Sequence, residues 1–442
     1  MSVVSPASIV LTSVGSWGDV FPLVRIGKEL VKRGHSVVLG LSPAFEASIR
    51  AEGLNFHAVG PPPRPDPSKA AQAFDRGATD ATRFAAVLDQ MLPDLRGATA
   101  DLVRACEGAD LLCTMPAQLA GPIAAEVAGV DWVTLTVYAA NIPSRDISPL
   151  GFESAIPPEA SSRDVNPTLW PIYLSMMRVF DREINEVRLS FGLRPVRDGL
   201  LLGSISPHLC LLLMSKAYLP QPSDWPPQLR MTGFADWDSP IRWEEPPELE
   251  AFLQDGEPPV VFTLGTSTAL WPEQFFQIAI EAAMRSKRRA ILLLGIPFDG
   301  LWEKQYGAHG VHAPSLAAWP YVPLSRLLPH CSAVVHSGGY GTTVATIRAG
   351  LPAVVIPRVF DQGFNAHRVK VLGVGRMLDW NGLTASDLAV ELDAVLGDST
   401  YRARAVALAR SIAAEDGAAG AAAEIERFLA TREGQSAPSR TT

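Results

Sequence analysis

Residues 328–375 read LPHCSAVVHSGGYGTTVATIRAGLPAVVIPRVFDQGFNAHRVKVLGVG. Ala333-Val334-Val335 is an apolar run of buried-strand length. It empties into His336-Ser337-Gly338-Gly339-Tyr340-Gly341-Thr342-Thr343. A helical run from Val344 to Ala349 follows and stops at Gly350. A second apolar strand, Ala353 to Ile356, leads to Asp361-Gln362 and a helix from Asn365 to Leu372. Strand, glycine-rich turn and helix in that order gather unpaired backbone N–H groups at one point, and the helix dipole adds partial positive charge there. The glycines let the backbone approach an anion closely, and Thr342 and Thr343 can cap the helix or donate to that anion. His336 ends its strand, so it sits at the carboxyl edge of a parallel sheet, where open α/β folds bind ligands. Asp361 and Gln362 follow the next strand and reach the same edge, and a carboxylate beside an amide suits hydroxyl groups. A diphosphate next to a hydroxyl-rich group describes a nucleotide sugar.

The same stretch resembles the donor-site signature of the family 1 (UDP-glycosyltransferase-like) enzymes of the GT-B fold. The bacterial natural-product and lipid branch, including its rhamnosyltransferase-like and antibiotic-type members, is the nearest pattern. His336, Gly338-Gly339, Gly341-Thr342-Thr343, Gly350-Leu351-Pro352, Asp361-Gln362, Asn365-Ala366 and Gly373-Val374-Gly375 fall in order and in register. So many matches within about fifty residues exceed what a lone glycine motif can say.

The remaining chain is compatible with that expectation. Its 442 residues, 47% of them apolar, suffice for two or three cores. A formal charge of −8 argues against a nucleic-acid partner. The cysteines Cys106, Cys113, Cys210 and Cys331 have no metal-ligand spacing and suit buried thiols in a reducing cytosol. Residues 1–7 are too short and uncharged for a signal peptide, and no apolar run nears eighteen residues. The expected location is cytoplasmic, with peripheral membrane contact through a surface patch left open, and with a monomer or a homodimer as the assembly.

In chain order, Ser8 to Thr12 reads as a strand, then Gly15-Ser16-Trp17-Gly18-Asp19, then a helix from about Phe21 to Arg33. Ser36 to Leu41 is the next strand, which sets a βαβ rhythm and a parallel sheet. Ala78 to Cys106 is helical, Leu111 to Thr114 and Val133 to Thr136 are strands, and Leu209 to Met214 closes the first domain. The domains expected are an acceptor-binding Rossmann-like unit at 1–215, a proline-rich linker at 216–259, a nucleotide-sugar unit at 260–415, a helix at 416–431 crossing back to the first unit, and a disordered tail at 432–442. Asp236-Trp237-Asp238 has the spacing of a metal-binding DxD motif but lies in the proline-rich connector, where chance spacing explains it. No metal and no cofactor beyond the sugar nucleotide is expected.

The resemblance assigns roles. Asp19, in a G-S-x-G-D turn like that of the antibiotic-type enzymes, is the implied catalytic base, although its place before a helix also suits a cap. His336 is implied to contact the donor diphosphate, with Gly338, Gly339, Gly341, Thr342, Thr343, Ser16, Thr266 and Ser267 supplying further donors. Tyr321 stands where relatives stack on the nucleobase, beside Val322, and Asp361 with Gln362 hold the donor sugar. Where plant relatives have a glutamate for the ribose, this chain has Val344, which suits dTDP, since its sugar lacks the 2′-hydroxyl. The acceptor wall is assigned to Trp17, Tyr138, Trp170, Tyr173 and Met177, the last three on a helix that reads equally well as core-facing. The activity implied is inverting transfer of a sugar from a UDP- or dTDP-sugar to a hydroxyl of an apolar natural product or lipid. A non-catalytic partner of the same fold and a sugar-nucleotide epimerase are the rivals.

Overall fold

The protein's structure, a computed structural model, describes residues 5–61, 94–152, 161–236, 243–265, 274–295 and 311–436. Thr266, Ser267, Trp237 and Asp238, and most of the helix expected from Ala78, lie outside them.

Two seven-stranded sheets organise the chain. The first has the order β3-β2-β1-β4-β5-β6-β7 and is parallel throughout. Its strands are β1 Ser8–Thr12, β2 Ser36–Leu41, β3 Asn55–Ala58, β4 Leu111–Thr114, β5 Asp131–Thr136, β6 Cys210–Leu212 and β7 Leu229–Met231. β1 is central, and Ile9, Val10 and Leu11 are buried on both faces, which explains why the strand reads as unbroken apolar sequence rather than as alternation. The second sheet runs β10-β11-β9-β8-β12-β13-β14, with β8 Val260–Thr263, β9 Ala290–Leu293, β10 Val311–Ala313, β11 Leu316–Trp319, β12 Ala333–His336, β13 Ala353–Val355 and β14 Gly375–Met377. Only its edge strand β10 pairs antiparallel. In each sheet the chain reverses direction of winding at a central strand, and ligand crevices of open sheets form at such switch points.

Five helices carry the argument: α1 Trp17–Lys32, α2 Ser162–Met177, α3 Tyr340–Arg348, α4 Gln362–Val371 and α5 Gly417–Ser436. Helices α1 and α3 start earlier than their sequences suggest, by four residues each, because a glycine stands inside the first turn of both.

Two boundaries differ from expectation. The proline-rich segment is not only a linker, since β7 lies within it and pairs with β6. Its prolines flank that three-residue edge strand rather than interrupting it, so no ladder hydrogen bond is lost. The terminal segment is not a loose tail from 432. Helix α5 continues to Ser436, and Arg432 pairs with Asp131 of the first sheet.

Helix α5 packs on α1, with Ala418, Ala421, Ala422 and Ile425 fully buried in the first core. Arg25–Asp416 and Arg33–Glu426 ion pairs border that contact. The chain therefore passes between the two sheets twice. The two passages touch: Gly417 N–H donates to the Phe234 carbonyl at 3.2 Å, and Ser215 Oγ donates to Glu415 at 2.8 Å. The first apolar core runs on without a break into the inner face of α3 through Tyr340, Val344 and Ile347.

Candidate active site

The first half of the site is built where β1 meets α1. Ser16 is the N-cap, and its hydroxyl accepts from Gly18 N–H at 3.2 Å. Asp19 reaches back, and its Oδ2 accepts from Ser16 N–H at 2.9 Å. That reciprocal pairing is a capping box, so Asp19 does cap the helix. Its other oxygen is turned elsewhere: Oδ1 accepts the hydroxyl of Tyr138, from the loop after β5. Gly15 makes this possible. Its φ is +135°, and a Cβ at that position would overlap Asp19 Oδ2. Burial raises the Asp19 carboxyl above the usual carboxylate range, while the hydrogen bonds from Tyr138 and Ser16 pull it down.

The second half is built where β12 meets α3. His336 is completely buried, and its Nδ1 accepts from Gly338 N–H at 3.0 Å. The ring hydrogen therefore sits on Nε2, which has no hydrogen-bond partner among the described residues. Burial lowers the imidazole to about 3, so this is a neutral donor at physiological pH. Helix α3 has Gly339 as its N-cap, and a glycine has no side chain to cap with. A Cβ on Gly339 or on Gly341 would meet none of the described residues within 4 Å, which leaves the helix N-terminus approachable. Gly338, with φ at +93°, is tightly held, because a Cβ there would lie 2.8 Å from the Gln362 carbonyl oxygen.

The expected hydroxyl donors are partly committed. Thr343 Oγ1 donates back to the Gly339 carbonyl at 2.9 Å. Ser337, to which no donor role was assigned, donates from Oγ to the Leu264 carbonyl at 3.3 Å. Thr342 is buried beside Gly265. Gln362 Oε1 accepts from Arg358 and Val359 N–H groups at 3.0 and 3.1 Å, which folds the loop before α4 around it. Tyr321 is half-buried and Val322 is buried.

Asp361 completes the pattern. Its carboxylate accepts from Tyr340 N–H at the start of α3 and from Asn365 Nδ2, the latter at 2.9 Å. Burial, reinforced by the negative charge of Asp19, raises it to about 7. The two carboxylates thus come from different sheets and feel each other. Tyr138 lies between them electrostatically, since both charges raise its phenol.

Sequence reading assigned no role to the two tyrosines that join the halves. Tyr218 hydroxyl donates to Asn365 Oδ1 at 3.0 Å, while Asn365 Nδ2 also donates to the Gly338 carbonyl at 2.8 Å. Tyr340 hydroxyl donates to the Leu213 carbonyl at 2.7 Å and accepts from Ala235 N–H at 3.2 Å. A large aromatic between Gly339 and Gly341 was the available signal for Tyr340; Tyr218 had none, because its partner is 147 positions away.

Of the residues assigned to an acceptor wall, Trp17, Trp170, Tyr173 and Met177 are turned inward, while Tyr138 reaches Asp19. Trp17 packs against Phe21 and Phe45, with ring centroids 5.0 and 4.8 Å away. Trp170, Tyr173 and Met177 line a side core with Leu119 and Ile184, and the Trp170 indole donates to the Ser144 and Ile147 carbonyls, both at 2.9 Å. The outward face of that segment is Ile172, Met176 and Val179 instead. Of the DxD spacing, Asp236 pairs with Arg348 at 2.7 Å. Among the described residues no helix is long and apolar enough to cross a membrane.

With this geometry in place, the similarities to known proteins are informative. The C-terminal domain model of erythromycin biosynthesis protein CIII-like proteins matches residues 312–428, and the glycosyltransferase family 28 N-terminal domain model matches residues 9–107. The chain is 32% identical to O-mycaminosyltylonolide 6-deoxyallosyltransferase of Streptomyces fradiae over 451 residues, spanning 96% of this chain and 98% of that one. It is 28% identical to the sterol 3-beta-glucosyltransferase UGT80A2 of Arabidopsis thaliana over 95% of this chain and 65% of that protein. Among solved structures, glycosyltransferase VinC in complex with dTDP superposes with a TM-score of 0.66 at 19% identity, covering 96% of this chain and all of that one. The sheets, the glycine-capped α3 and these similarities agree: the chain is a glycosyltransferase and belongs to the antibiotic-type, family 1 group of the GT-B fold.

Proposed function

We propose that this enzyme transfers a sugar, with inversion and without a metal, from a dTDP- or UDP-sugar to a hydroxyl of an apolar natural product or lipid. The observation that carries the reading is the pair of buried carboxylates, one from each sheet, at the mouth of an approachable helix N-terminus. Asp19 takes the acceptor proton, the acceptor oxygen attacks the anomeric carbon, and the bond to the diphosphate breaks with its electron pair leaving on phosphate. Asp19 is suited to this because burial raises its basicity above that of a free carboxylate. Asp361, with Gln362 nearby, holds sugar hydroxyls. The N-terminus of α3 and the Nε2–H of His336, without a partner among the described residues, stabilise the departing diphosphate. In this reading the first sheet carries the acceptor and the second the nucleotide.

The names of the relatives support the class: O-mycaminosyltylonolide for one, a sterol for the other, and dTDP bound to VinC. Val344 in place of a ribose-binding carboxylate favours dTDP over UDP. The test is a titration with dTDP, UDP and GDP alongside a transfer assay. Asp19→Asn should lose transfer by about 10²–10⁴-fold with nucleotide affinity kept. His336→Ala should lose nucleotide affinity. Full turnover in Asp19→Asn removes it as the base, and no nucleotide binding in the parent removes the donor site.

A further inference from the structure

Asp19 does two jobs with two oxygens, and the second is set by a residue that lies 119 positions away. Oδ2 is tied to the start of α1 through Ser16 N–H. Oδ1 is tied to the Tyr138 hydroxyl. Tyr138 is itself fixed, since its N–H donates to Thr136 Oγ1 at 3.0 Å and its ring packs against the first core. A carboxylate oxygen has two acceptor positions, so one on Oδ1 remains for an acceptor hydroxyl. Without the phenol, the carboxylate would be held only from its own helix start, by Ser16 and its own backbone.

We propose that Tyr138 is a positioning residue for Asp19, holding Oδ1 toward the cleft in the ionised form that can take the acceptor proton. The proposal rests on Asp19 being the base. In the step, the acceptor proton passes to Oδ1 while the acceptor oxygen bonds to the anomeric carbon and the diphosphate departs; Tyr138 keeps its own proton throughout. The opposing possibility is that the phenol sits in the acceptor's seat and must be expelled. Geometry favours the first, because Ser16 N–H and Tyr138 O–H take different oxygens, so the phenol braces Oδ1 without displacing the cap. The groups facing the pair are Ser16 on α1, Tyr138 on the loop after β5 and Asp361 from the other sheet.

The experiment is Tyr138→Phe, which removes one oxygen and keeps the ring, measured beside Asp19→Asn across pH. Positioning predicts kcat lower by about ten- to a hundredfold, the loss of one hydrogen bond to a charged group, with both KM values near parental. The acid limb of the pH–rate profile should also move to higher pH, because a hydrogen bond that favours the ionised carboxylate is gone. Parental or faster turnover in Tyr138→Phe overturns the proposal. So does a slower enzyme whose acid limb has not moved. If Asp19→Asn itself retains transfer, the base assignment fails; if only Tyr138→Phe behaves like the parent, that assignment stands and this one does not.

Discussion

The chain builds the same local unit twice, β1–Gly15–α1 and β12–Gly338–α3, and finishes the two differently. In each, a buried strand ends at a glycine with positive φ and a helix starts within three residues. The first helix closes its own end, with Ser16 and Asp19 in a capping box. The second has a glycine at the cap, and its first N–H goes to a carboxylate from another segment, Asp361. Identical topology thus yields a self-capped carboxylate at one helix start and a glycine-capped start satisfied from another segment at the other, and the difference lies in which residue supplies the cap. In the proposed function the first is the proton acceptor and the second the phosphate cradle.

Substitutions that blur the difference should be costly in distinct ways. Gly15→Ala places a methyl where Asp19 Oδ2 lies. It should reduce transfer by about 10²–10⁴-fold, as loss of the base would, while dTDP affinity measured by calorimetry stays within a few-fold. Gly338→Ala meets the Gln362 backbone at 2.8 Å in a conformation disfavoured for alanine. It should weaken nucleotide binding about tenfold or more and destabilise the fold by about 1–3 kcal/mol, read as a lower urea midpoint. A nucleotide affinity unchanged in Gly338→Ala and lowered in Gly15→Ala would invert the division of labour.

A third prediction concerns Asp361. Its carboxyl is held at about 7 in the fold, above the value of roughly 3.9 in an unfolded chain. Between those values the folded state binds the extra proton, so its contribution is full below about pH 4 and is lost as pH rises through about 7. Urea midpoints should be higher at pH 5 than at pH 8, and Asp361→Asn should flatten that slope. The smallest effect is expected at Gly341, where a Cβ meets open space. Gly341→Ala should stabilise α3 by about 0.5–1 kcal/mol while weakening nucleotide binding, if the anion needs the bare backbone there. Gain in both stability and affinity would place the phosphates elsewhere.

Much of this was legible in sequence. The strands 8–12, 36–41 and 111–114 stand as read, because fully buried parallel strands are short unbroken apolar runs. The starts of α1 and α3 were missed for one reason: Gly18 and Gly341 look like loop, yet Ser16-x-x-Asp19 is a helix-start signature. Asp19 was read as either base or cap. Its geometry includes the cap, and its second oxygen leaves the other role open to test. The hydrogen bonds of Tyr138, Tyr218 and Tyr340 were invisible, since each joins segments more than a hundred positions apart. Sequence spacing carries no information about such pairs. The acceptor assignment to Trp170, Tyr173 and Met177 followed amphipathic composition, which does not tell which side of a helix the core takes.

The paired passages between the sheets have a mechanical consequence. A single strand joining two bodies is a universal joint and permits rotation about any axis. Here two strands cross side by side, stitched together at Phe234 with Gly417 and at Ser215 with Glu415. Twisting would shear those bonds, whereas swinging about the line through them would not. These two bonds, like a door's hinges, resist a twist more than a swing. A small rotation about such a pivot would become a larger displacement at the far rim and would leave the groups nearest the pivot almost in register.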